Sequence, residues 1–167
     1  ILGKLILLNE GMLVWWRLLI TIVVLAVLML IRGELKVIGM KDFLKIAGVG
    51  FLVAFHWVAF YGSIKYSNVS VALVCFSATG FFTALFEPLI LNKKPVAAEL
   101  LFGLLAIAGI YIIFDFHPQY KMGILFGVLA AVGSAIFPIF NKMLLQQFNA
   151  RVLTIYEFTG GLLSLCI

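Results

Sequence analysis

Seven side chains in this 167-residue sequence pair a polar or aromatic head with a place inside an otherwise apolar run: Arg17, His56, Trp57, Tyr61, Ser77, Thr79 and Glu157. A charge at the centre of a bilayer costs about 2.5 to 3.5 kcal/mol on insertion scales, so a buried ionisable group is a functional candidate. Arg17 lies about a turn and a half into its run beside Trp15 and Trp16. Two readings stand: the guanidinium snorkels to the interface, or it anchors a substrate carboxylate or phosphate. His56 and Trp57 fall mid-run with Tyr61 one turn further on. Either His56 hydrogen-bonds across helices, or it is a proton-linked group in a cavity where Trp57 or Tyr61 stacks on a substrate. Ser77 and Thr79 belong to a small-and-hydroxyl stretch with Cys75, Gly80 and Thr83, a composition that permits close helix packing.

Enzyme signatures are missing from the sequence. It has no GxSxG, no HExxH, no phosphate-binding loop and no paired intramembrane aspartates. Cys75 and Cys166 lie in apolar runs without CxxC spacing or clustered histidines, so neither a disulfide nor a metal site is expected. The expectation is a non-enzyme without cofactor. Glu87, followed by Pro88, reads either as a gate residue or as a partner of Lys93 or Lys94. Glu99, Asp115 and His117 fall at run ends near water and are read as serving no site.

The elements that carry these residues are set by composition. Hydrophobic residues make up 65% of the chain and charged residues 11%, and mean hydropathy is +1.22. Soluble domains hold roughly 25% charged residues, so no water-facing shell can be built here. Six apolar segments, about 12 to 31, 44 to 63, 69 to 91, 98 to 115, 122 to 141 and 152 to 167, reach or approach the roughly 17 to 25 residues a spanning helix needs. The runs are continuous rather than alternating, which favours helices over a β-barrel and predicts an all-α membrane bundle. Residues 1 to 8 read as the end of a preceding helix, and the chain stops at Ile167 inside an apolar run, so it is expected to be a piece of something longer.

The net charge of +5 does not indicate nucleic acid, because the basic residues sit between apolar runs. One alternate set of loops holds eight of them (Arg32, Lys36, Lys41, Lys45, Lys93, Lys94, Lys142 and Arg151) and the other three (Lys4, Lys65 and Lys121). By the positive-inside rule the first set faces the cytoplasm. Asn68-Val69-Ser70 fits a glycosylation pattern but abuts the membrane.

A faint internal repeat is present. Gly3-Lys4-Leu5-Ile6-Leu7-Leu8 and Asn141-Lys142-Met143-Leu144-Leu145-Gln146 each precede a break and an apolar run, 138 residues apart from Lys4 to Lys142. An odd number of spans separates them, so the copies would be inverted, as in many secondary transporters. In this echo Glu157 nearly matches Arg17, at an offset of 140. Opposite charges at such places pair, or hold a zwitterion between them.

From Leu13 to Ile167 the chain resembles the EamA-like kind of the drug/metabolite transporter superfamily. The resemblance rests on Trp16-Arg17, on the stretch from Ala59 to Ser67, on Ser70-Val71-Ala72-Leu73, on the stretch from Leu89 to Pro95, and on the Gly103-to-Gly109 helix. Two departures stand out: Gly80 occupies a place where the family commonly has proline, and Lys93 or Lys94 one where it has an acid. What the resemblance implies is ten helices in two inverted halves. Residues 1–117 would then run from the end of the first helix through the fifth, and 118–167 would be the first two helices of the second half. It also implies that the helix carrying Ser77 and Thr79 lines the central path.

The expected function is therefore a secondary transporter of small polar, amino-acid-like metabolites, working by alternating access, exporting, in a bacterial inner membrane. Its partners would be a small-molecule substrate and the lipid bilayer, with proton coupling conceivable. The rival is a non-transport helical membrane protein, a receptor or scaffold subunit whose buried polar groups only join helices.

Overall fold

A backbone in hydrocarbon must satisfy its own N–H and C=O groups, which leaves the helix as the local solution for these continuous apolar runs. The computed structural model of the chain describes residues 9–116 and 118–166. The expected preceding helix end and His117 lie outside them. Among the described residues there are helices and no strand: α1 (Glu10–Ile31), α2 (Met40–Tyr66), α3 (Val69–Ser77), α4 (Thr79–Leu91), α5 (Ala97–Phe116), a short 3-10 turn (Pro118–Tyr120), α6 (Lys121–Leu144) and α7 (Ala150–Ser164). The first two helices, the α3–α4 stretch taken together, and α6 are each long and apolar enough to cross a bilayer. The apolar part of α5 and the 15-residue α7 are shorter.

Helix ends follow recognisable local chemistry. Past α1, Gly33 takes φ +62. Its N–H donates to the Leu30 carbonyl at 3.1 Å, and that of Glu34 to the Met29 carbonyl at 2.9 Å, the paired bonds of a Schellman cap. Past α4, Asn92 takes the left-handed place instead, with φ 51. Asn68 accepts from the Val71 N–H at 3.0 Å and caps α3, and Asn149 does the same for Arg151 and α7. The helix α2 is longer at both ends than its apolar run, because Lys41, Asp42 and Lys65 continue the helix where polar groups are tolerated.

The expected run from 69 to 91 is helical but broken at Ala78. There the backbone N–H of Ala78 reaches back only three residues, to the Cys75 carbonyl at 3.1 Å. Ser77 Oγ donates to the Val74 carbonyl at 2.6 Å and Thr79 Oγ1 to the Phe76 carbonyl at 2.7 Å. Hydroxyls that bond back onto the preceding turn compete with the helical ladder and bend it. The sequence draws the eye to Gly80, but a Cβ there would meet nothing within 4 Å, and the break lies two residues earlier.

The helices fall into two compact units, and both boundaries lie inside helices, α2 and α6. One unit holds residues 56–139. Its core is Val71, Cys75, Ala78, Ile110, Ile124 and Ala131, with α5 packed on α3 and α4. Gly123 and Gly127, one turn apart on α6, bring that helix against the α2–α3 hairpin. A Cβ on Gly123 would stand 2.5 Å from the Ser67 Cβ, and one on Gly127 2.5 Å from the Cys75 Cβ.

The other unit holds residues 9–55 and 140–166. In it α1 packs along α7, with Met29, Val152 and Ile155 buried between them. The α2 segment meets α7 through glycine. A Cβ on Gly50 would stand 1.9 Å from the Glu157 carbonyl oxygen, one on Gly160 2.4 Å from the Ala47 Cα, and one on Gly161 2.7 Å from the Gly50 carbonyl oxygen. Gly48, on the same helix, would meet nothing within 4 Å. We therefore expect Gly50→Ala to lower thermal stability by about 1 to 3 kcal/mol through overpacking. Gly48→Ala should be neutral or stabilising by up to about 1 kcal/mol, the intrinsic gain of alanine over glycine in a helix. Thermal unfolding of both variants in detergent checks this, and equal responses would refute the close-packed assignment.

Candidate functional site

The polar side chains expected to do chemistry are placed by helices whose remaining residues face lipid or one another. In the first unit His56 opens the segment of α2 and is buried, at 8% exposure. Its ring lies nearly parallel to those of Phe76 on α3 (centroids 6.2 Å apart, 21°) and Phe137 on α6 (5.3 Å, 22°). Trp57 meets it edge-on at 5.8 Å. Trp57 and Tyr61 are neighbours at 6.4 Å, and Phe60 bridges Tyr61 to Phe76. His56, Trp57 and Tyr61 are thus brought together as the helical spacing anticipates. The two phenylalanines that complete the cage come from other helices and carry no local signal. An aromatic surround of this kind accommodates a neutral imidazole by stacking and an imidazolium by attraction to the ring faces.

Ser77 and Thr79 are not part of that cage. Ser77 is exposed and lines an open groove of about 530 Å³ between α3–α4 and α5, with Thr83, Glu87 and Glu99 among the other lining residues. Thr79 is half-buried, and its hydroxyl is given to the Phe76 carbonyl. Glu87 pairs with Lys93 at 3.0 Å, as the partner reading of that carboxylate expects. Glu99, read from sequence as a helix-end residue without a role, contributes to the groove because α5 starts beside Lys93 and Lys94.

In the second unit Glu157 is 4% exposed, and its Oε1 accepts a 3.0 Å hydrogen bond from Asn141 Nδ2. Asn141 Oδ1 is buried without a hydrogen-bond partner. Arg17, expected as the counterpart of Glu157, is exposed on α1, so the group that reaches the carboxylate is Asn141. Asn141 was visible only as part of the internal echo. No spacing rule joins it to Glu157, sixteen positions on.

At one end of this unit Arg151 and Glu34 form an ion pair through Nη1 and Oε2. Tyr156 donates to the Lys36 carbonyl at 2.8 Å and meets Phe43 edge-on, fastening the segment after α1 onto α7. At the other end Trp15 Nε1 donates to the Cys166 thiol sulfur at 3.2 Å, and both cysteines are free. Among the described residues no three His, Cys, Asp or Glu gather closely enough to hold a metal ion.

A model of the EamA-like transporter family matches residues 2–115, more than half of the sequence. The chain belongs to the EamA-like transporter family. No curated protein and no solved structure matches it. This EamA-like chain is accordingly an integral membrane protein of a transporter family, and the buried polar residues His56 and Ser63 sit in a helix long and apolar enough to cross a membrane.

The exposed ion pair has a pH signature. Hydrogen bonding from Arg151 holds the Glu34 carboxyl below the usual carboxylate range, with desolvation opposing and the charges of Arg151 and Arg32 adding to it. A carboxyl that is more acidic when folded contributes stability above its unfolded value and loses it as pH falls through the lowered folded value. Thermal midpoints of the wild type should thus fall more on acidification than those of Arg151→Gln, by a small margin that added salt erases. Superimposable pH profiles would refute the assignment.

Proposed function

We propose that this EamA-like chain is a secondary transporter that moves small polar, amino-acid-like metabolites outward across a bacterial inner membrane by alternating access. In this reading residues 1–117 belong to the first of two inverted halves and 118–167 open the second. The residues proposed to contact substrate are His56, Trp57, Tyr61, Ser77, Thr79, Arg17 and Glu157.

The observation that carries the reading is His56, buried in a membrane-crossing helix yet enclosed by aromatic faces rather than lipid. An imidazole at such depth is expensive unless it is used, and aromatic walls suit the ammonium group of an amino acid as well as the imidazole itself. The Ala78 break supports a flexible point on the path, because interrupted helices are where transporters place their substrate contacts. The family match over residues 2–115 supports a first repeat of the expected length.

The test is uptake of a mixture of tritiated amino acids by liposomes holding the purified full-length protein. We expect accumulation by the wild type, and a roughly tenfold fall for His56→Leu and for Trp57→Leu, the loss of about 1.4 kcal/mol of substrate interaction. Lys41→Gln, on an exposed first turn, should transport normally. Absence of uptake, or wild-type rates in both aromatic-cage variants, would favour the receptor or scaffold alternative.

A further inference from the structure

We propose that Glu157 and Asn141 together form a proton-binding site, and, resting on the transporter reading above, that this proton is the coupling ion. Glu157 is almost wholly buried on α7, and the group that reaches its carboxylate is a neutral amide. That amide is used at one end only: Nδ2 donates to Oε1, while Oδ1 is buried with no donor. An ionised carboxylate is acceptor-only, so it cannot supply what Oδ1 lacks. A protonated one can. When a proton from water joins the carboxylate, the acid keeps one oxygen as acceptor for Nδ2–H and gains an O–H that can donate to Oδ1. Acid and amide then close a reciprocal two-hydrogen-bond pair, and both buried groups are satisfied. The ionised state leaves a charge and an orphaned carbonyl oxygen in a low-dielectric place, each of which is costly.

The surrounding charges do not offer an alternative partner. On the elements packed against α7, Asp42 pairs with Lys45 and Arg151 with Glu34, and the Tyr156 hydroxyl donates to the Lys36 carbonyl. Arg17 and Glu10 lie on α1, Arg17 exposed and Glu10 half-buried, while Lys41 on α2 and Lys142 on α6 are exposed. The backbone around the carboxyl is fixed as well: the Glu157 carbonyl oxygen abuts Gly50, and Gly161 abuts the Gly50 carbonyl, so α7 is held where the pair must form. A site whose unmet need is one hydrogen takes a proton better than a metal cation, which would require several further oxygens.

The experiment is infrared difference spectroscopy of the purified chain in lipid nanodiscs, titrated across the physiological pH range without substrate. We expect a protonated-carboxyl C=O band that grows on acidification, is lost in Glu157→Gln, and is present but shifted in frequency in Asn141→Leu. The second variant retains the acid, so it guards against a folding defect in the first. Persistence of the band in Glu157→Gln, an unchanged band in Asn141→Leu, or suppression of the titration by sodium but not potassium would overturn the proposal. Uptake of tritiated amino acids under an imposed pH gradient separates the two readings. No uptake with an intact carboxyl titration would sink the transporter reading alone, whereas uptake indifferent to the gradient would sink proton coupling.

Discussion

Hydrocarbon offers polar groups no hydrogen-bond partner, so every donor and acceptor in the crossing segments must be met from within the protein. Most features of this chain are answers to that requirement. It selects helix for each apolar run. It makes Ser77 and Thr79 turn their hydroxyls onto the Val74 and Phe76 carbonyls, and the same bonds loosen the ladder at Ala78. The break in the α3–α4 stretch is thus a by-product of satisfying two side chains locally. It places a bend where a span would otherwise run straight.

The requirement also explains where close packing is found. Helices in lipid gain nothing from hiding apolar surface, because lipid tails are equally apolar, so they associate through close contact and interhelical hydrogen bonds. Gly123 and Gly127 let α6 touch the α2–α3 hairpin, and Gly50, Gly160 and Gly161 let α2 and α7 meet backbone to backbone. The first contact carries the buried thiol of Cys75 and the second a buried carboxyl. Glu157 projects from the helix whose carbonyl rests on Gly50, so the glycine that permits the contact also fixes the height of the carboxyl. The cage around His56 is built otherwise, from large flat rings at 5 to 6 Å that tolerate adjustment.

Much of the architecture was legible in the sequence because it depends on composition and on local rules. The apolar runs located the helices to within a few residues, with α2 extended at both ends by lysines that sit beyond the apolar core. The caps at Asn68, Asn149 and Gly33 are local chemistry and fall at the expected breaks. The cage was half legible. His56, Trp57 and Tyr61 lie within two turns of one helix, whereas Phe76 and Phe137 are two among sixteen phenylalanines and acquire meaning only through tertiary packing. The same limit hid Asn141, and it made Arg17 seem the natural partner of Glu157. Complementary charge is conspicuous in a sequence, and a neutral amide is not.

That contrast bears on how a buried carboxyl of this kind is used. An arginine partner would fix Glu157 in its ionised form and make the pair a permanent strut, since breaking a buried ion pair leaves an uncompensated charge at several kcal/mol. An amide partner does not choose so strongly. It can donate to the ionised acid through Nδ2 or exchange bonds with the neutral one through both ends, so the two protonation states differ by a rearrangement of hydrogen bonds within one pair of side chains. The proposed proton site would have to fill and empty, and an amide partner such as Asn141 permits both where an arginine would not.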